Sequence, residues 1–221
     1  MDTRDRIIES ACEVFAEKGY QSATISEICE RGKANIASVN YYFGSKEELY
    51  DEVLRRALEI VEQKHPLHGN LAEGASPADR LQAFISALLL RTLVDGPGGW
   101  FQRLVTHERT SATSHVVHKF RAMLRRNRDL LEEIVSELIG RPLPDDVAHR
   151  YSHFIISICV AYGFNQYSRE RFMEEAGGTP EVIARLTADA TRFIMGGIAA
   201  VGGGVATGEP ENDITPPETK G

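Results

Sequence analysis

The residues of this 221-residue chain best suited to chemistry lie between positions 24 and 46, in the run TISEICERGKANIASVNYYFGSK. Thr24, Ser26, Asn35, Ser38, Asn40, Tyr41 and Tyr42 supply hydroxyl, amide and phenol groups, with the small Ala37 among them and a cation at Lys46. No nucleophile stands beside a base here. These are the donors and acceptors that meet phosphate oxygens and base edges. The chain carries 32 Asp and Glu against 25 Lys and Arg, a net charge of −7, yet no acid falls between Arg31 and Lys46. With Arg31, Lys33 and Lys46 as its cations, that window is one surface a phosphate backbone would tolerate on an otherwise repulsive protein. The alternative is a helical hairpin inside a core, but a buried helix would not carry Asn35, Ser38, Asn40, Tyr41 and Tyr42 in one run without partners.

The elements that must position these groups are helical. Thr24 and Glu27 fit a capping box, after which Ile25, Ile28 and Cys29 recur at helical spacing and Gly32 offers a stop. Ile36, Val39 and Phe43 give the next helix an expected buried stripe, leaving Ala37, Ser38, Tyr41 and Tyr42 on the opposite face. Ahead of them, 3–18 predicts a helix with Ile7, Ile8, Ala11, Val14 and Phe15 inward, ended by Gly19. Behind them, Ser45 with Glu48 caps a helix over 46–64 that Pro66 stops.

At these residues the chain resembles the TetR family of bacterial transcriptional repressors. FAEKGYQSATI, the two short helices and YYFGSKEELY carry the resemblance over the first 60 residues. It implies an all-α protein: an N-terminal three-helix helix-turn-helix DNA-binding domain (1–47), plus a C-terminal helical domain for ligand binding and dimerisation (48–200), the helix over 46–64 acting as linker. By the same resemblance Thr24 and Ser26 touch phosphates, Asn35 to Tyr42 form the recognition helix, and Lys46 clamps a phosphate. Asn35, Ser38, Asn40 and Tyr41 would read base edges of double-stranded operator DNA. Two positions depart from the family pattern: Lys33 stands where a turn glycine is usual, with Gly32 one place early, and Asn40 replaces a common tyrosine.

Helix follows helix in the remainder, over 77–94, 100–111, 114–139, 145–168 and 180–200, and no strand pattern emerges. The final residues, 201–221, combine Gly, Pro and acid without an apolar face and read as a disordered tail. The helices over 145–168 and 180–200 carry more apolar residues than one core stripe needs, and Gly196, Gly197, Ala199 and Ala200 permit close backbone approach. They are the expected homodimer surface, which would set two recognition helices on a near-palindromic operator. GWFQRLVTHERT and YSHFIISICVAYGFNQY look like the C-terminal domain of the CecR-related subgroup, which implies a small organic effector acting as inducer. Trp100, Phe101, Arg103, His107, Phe120, His153, Tyr162, Asn165 and Tyr167 put polar or aromatic tips in apolar helical settings and are the candidate lining of its pocket. Core or rim packing is the alternative for each, and Arg103, His107 and Glu108 would equally suit an internal ion network.

Two other classes compete with this reading. His115 with His118 and His149 with His153 lie three and four residues apart, spacings that put each pair on one helix face, so a metal-responsive regulator is an alternative. No cysteine or carboxylate completes such a site, and no cofactor is expected. An enzyme lacks support, since there is no Gly-rich phosphate loop, nucleophile elbow or HExxH helix. Cys12, Cys29 and Cys159 sit in apolar patterns as core residues. No long apolar run or export signal is present, so a cytoplasmic protein without membrane contact is expected.

Overall fold

The computed structural model describes residues 2–94, 96–110, 114–164 and 180–202. Helix starts follow the local chemistry of the sequence. Asp2, Thr24, Asn35, Ser45 and Ser76 each accept a hydrogen bond from the backbone N–H three residues on, at 2.8, 3.2, 2.7, 3.1 and 3.1 Å. Each such cap satisfies an amide that the helix cannot, and contributes about 1 kcal/mol. They open α1 (Thr3–Ser22), α2 (Ile25–Gly32), α3 (Ile36–Phe43), α4 (Lys46–Lys64) and α5 (Pro77–Leu93). Then come α6 (Pro97–Thr110), α7 (Ser114–Ile139), α8 (Asp145–Phe164) and α9 (Pro180–Gly202). Among the described residues the fold is all-α, and no helix is long and apolar enough to cross a membrane.

Several boundaries move from their expected places. α1 continues to Ser22 across Gly19, whose backbone leaves helical geometry at φ 74°. α6 begins at Pro97 instead of Trp100. The tail from 203 and the expected end of the helix over 145–168 lie outside the described residues.

Two apolar cores result. The first joins α1 to α4: Ile7, Phe15, Ile28, Val39, Leu49 and Tyr50 are buried together, with Phe15, Tyr20 and Tyr50 in mutual ring contact. It also takes in Trp100, Phe101, Leu104 and Val105, so the first half of α6 is packed onto α1 and α4. The second core gathers α5, α7, α8 and α9 around Leu81, Ile85, Leu89, Leu131, Ile155 and Ile194. The three cysteines are buried and unpaired.

The α2–α3 turn accounts for the glycine standing one place before the usual turn position. A Cβ at Gly32 would come within 2.7 Å of Ser10 Oγ and 3.2 Å of the Arg6 carbonyl oxygen, so this position is reserved for close approach of α1. The left-handed turn conformation therefore falls on Lys33, at φ 47°, and the Ala34 N–H closes the turn on the Cys29 carbonyl at 2.9 Å. Gly32→Ala should lower head stability by about 1–3 kcal/mol, because a backbone carbonyl cannot yield as a side chain can. A thermal melt with an unchanged midpoint would show that α1 and α2 separate without cost.

Candidate nucleic-acid interface

α3 stands on the first core through Val39 and Phe43 alone. Ile36, expected in the buried stripe, is 53% exposed. It is the first residue of the helix, where the chain is still turning in from the Asn35 cap, so its side chain falls outside the stripe. Ala37, Asn40, Tyr41 and Tyr42 are also exposed and Ser38 is half-buried. Tyr41 reaches 83% exposure, with its ring edge-on to Tyr42 at 5.1 Å between centroids. A large aromatic so exposed on a well-anchored helix is a surface made for contact.

Asn35 is the cap of α3 and not part of the helix. Its Oδ1 accepts from the Ser38 N–H at 2.7 Å and from Ser38 Oγ at 2.9 Å, which ties these two candidate readers together and fixes the start of the helix. Thr24 and Ser26 lie exposed at the start of α2, where Thr24 Oγ1 caps the Glu27 N–H.

Lys46 is the first residue of α4. A cation there opposes the helix dipole. Its Nζ lies 4.5 Å from the centre of the Tyr20 ring, and burial holds its pKa below the usual lysine range. A phosphate arriving at this helix start would reverse both penalties, since it favours the charged amine and the free N-terminal amides together.

Arg31 is not part of the open cationic surface that the sequence suggested. It donates to both carboxylate oxygens of Glu17, at 2.9 and 2.8 Å, and to Glu27 at 2.9 Å, while Lys18 also holds Glu27 at 2.8 Å. The hydrogen bond from Arg31 draws the Glu17 pKa down, and the one from Lys18 draws Glu27 down. This network braces α1 against α2. Sequence reasoning passed over Arg4, which pairs with Glu52 at 2.5 Å and lies 5.5 Å from the centre of the Phe43 ring, tying α1 to α3 and α4. Its signal was only a cation in the first turn of α1.

The candidate pocket residues are dispersed. Trp100 and Phe101 are buried in the first core, Arg103 donates to the Gly96 carbonyl at 3.2 Å, and the His107 Nε2–H donates to the Ala16 carbonyl at 3.2 Å. His107 also lies within 3.1 Å of where a Cβ on Gly19 would be, so α6 seats against the bend in α1. His153 is exposed on α8 and Tyr162 packs against the second core. The side chains of Phe120, Asn165, Tyr167, His115 and His118 lie outside the described residues. Among the described residues no three His, Cys, Asp or Glu side chains gather as metal ligands.

A capped helix-turn-helix that presents a polar, aromatic helix, carried on a helical body, defines a DNA-binding transcriptional regulator. Residues 7–53 match the model of the bacterial regulatory proteins of the tetR family, and residues 77–198 that of the C-terminal domain of the HTH-type transcriptional dual regulator CecR. The chain belongs to the TetR family, with a CecR-type C-terminal domain. The HTH-type transcriptional repressor NicS of Pseudomonas putida is 27% identical over 179 residues, covering 77% of this chain and 80% of NicS. The fold is shared with AibR, solved in complex with isovaleryl coenzyme A and operator DNA (TM-score 0.65, 16% identity, 87% of this chain and 97% of AibR). It is shared also with FadR from Bacillus subtilis, solved in complex with stearoyl-CoA (TM-score 0.62, 17% identity, 87% of this chain and 98% of FadR).

Proposed function

We propose that this regulator acts in the cytoplasm as a repressor, binds a near-palindromic operator as a homodimer through α8 and α9, and leaves it when a small organic effector occupies the body. It is a binding protein and not a catalyst. The observation that carries the reading is the outer face of α3, where Tyr41 is 83% exposed, followed in the chain by Lys46 as the first residue of α4. In this reading Thr24, Ser26 and Lys46 engage phosphates, while Ser38, Asn40 and Tyr41 reach base edges and Ala37 and Tyr42 meet apolar groups in the groove. Asn35 contributes mainly by fixing Ser38.

The dimer surface is supported by an apolar groove of about 270 Å³ between α8 and α9, flanked by Phe154 at 57% and Phe193 at 74% exposure. Gly196 and Gly197 have open space where a Cβ would stand. An apolar patch of this kind on an acidic protein fits a second copy of itself, which can pair without bringing further charge together. NicS is a repressor, and AibR was solved with both a coenzyme A thioester and operator DNA, which supports effector control of DNA binding.

α6 supplies a route between effector and DNA. It packs on α1 and α4 through Trp100, Phe101, Leu104 and Val105 and also meets α5, so a ligand that favours one placement of α6 shifts the head.

The phosphate contact is tested with Lys46→Ala. Its binding to operator and to random DNA should fall alike, by about 3- to 10-fold per dimer, and the slope of log K against log salt should drop by about 2, one phosphate from each protomer. A change confined to sequence preference would remove Lys46 from the phosphate role.

A further inference from the structure

The body holds a buried cation that forms no ion pair with the described residues. Arg91, near the end of α5, is 4% exposed, and its Nε donates to the carbonyl of His65 at 2.8 Å. Among the described residues no carboxylate forms an ion pair with it. Burial pulls its pKa down to about 10, and the attraction of Glu62 only partly offsets this. A guanidinium held mostly out of water and only partly offset by Glu62 is costly, and the bond to His65 uses one of its five N–H donors.

Arg91 lines a cavity of about 300 Å³. A second cation, Arg126, stands at its edge; His68 and Asn127 add polar groups, and Leu67 and Leu130 give an apolar wall. Glu62 is also on the lining, but it is exposed, so its charge is largely satisfied by water. A fork of N–H donors with an apolar wall beside it matches a planar carboxylate carried on a short hydrocarbon or ring.

We propose that this cavity is a binding site for a small organic monocarboxylate, held by Arg91 as the buried anchor and drawn in by Arg126. The inference rests on the effector reading above and names the chemical class. It also gives the ligand a lever: His65 is the C-cap residue of α4, and Arg91 is bonded to its carbonyl. A carboxylate competing for Arg91 therefore acts on the end of the helix whose first residue is Lys46. Gly98 of α6 lies against the same histidine, its Cβ position 3.2 Å from His65 Nε2, so both helices that meet the head feel the exchange.

The test uses the full chain with benzoate, phenylacetate and hexanoate, each beside its neutral amide. At least one acid should raise the melting temperature by about 5 °C or more at a hundredfold excess over its Kd, and its amide should not. Arg91→Gln should weaken that acid about 10- to 100-fold, the range for a hydrogen bond to a charged group. Because Arg91 also holds His65, Arg126→Glu provides a second variant: it sits on an exposed edge, should melt as wild type without ligand, and should weaken the acid several-fold. The proposal is overturned if none of the acids protects the chain, if the amides protect equally, or if both variants keep wild-type affinity. Operator binding by the unliganded wild type is measured separately, so failure of the regulator reading is told apart from failure of the anion site.

Discussion

Replacing Phe154 and Phe193 together by glutamate is expected to lower operator affinity by about two orders of magnitude or more while leaving the protomer folded. Both rings stand largely in water on α8 and α9, at 57% and 74% exposure, so neither change opens a cavity in the second core. Across a twofold contact, however, the pair would set four carboxylates against one another in a desolvated patch, a cost of several kcal/mol. A monomer then binds with one head. It loses the effective concentration that a tethered second head supplies, worth about 10²- to 10⁴-fold. Sedimentation should show a single chain, and circular dichroism an unchanged helix content. A variant that remains dimeric would place the interface elsewhere.

The second large effect is at Tyr41. Truncation to alanine removes a ring that touches little of its own fold beyond Tyr42, so stability should change by less than about 0.5 kcal/mol. If the ring meets a base or a thymine methyl in each half-site, the loss is about 1–3 kcal/mol per half-site, or roughly 30-fold and upward for the dimer. Binding to random duplex should fall by less than about 3-fold, since it depends on phosphate contacts that Tyr41 does not make. Equal losses on both kinds of DNA would make Tyr41 part of the backbone clamp.

The head was legible in the sequence because its signals are local. Thr24 with Glu27, Ser45 with Glu48 and the acid-free run from Arg31 to Lys46 are all read within a few residues, and the caps stand where they were expected. What escaped depends on neighbours distant in sequence. Gly32 read as a helix stop, yet its place is set by Ser10 and Arg6 of α1. Arg31 read as an open cation, but Glu17, fourteen residues away, takes it bidentately. The sequence indicated a helix over 100–111 but not what it packs against, so Trp100 and Phe101, read as pocket lining, lie buried in the first core where α6 meets α1 and α4. Arg91 carries no local signal of its role. In the run LLLRTL a single arginine looks like a solvent-facing residue, and only the packing of segments distant in sequence makes it a buried charge.

The central claim is that the outer face of α3, paired by a twofold axis and flanked by Lys46, reads duplex DNA. Its most direct measurement is a footprint of the full chain on duplexes selected from a random pool at low ionic strength. Two chains should protect two symmetric major-groove patches about 34 Å, or a small multiple of it, apart. A stable monomer that selects no duplex and protects none would contradict it.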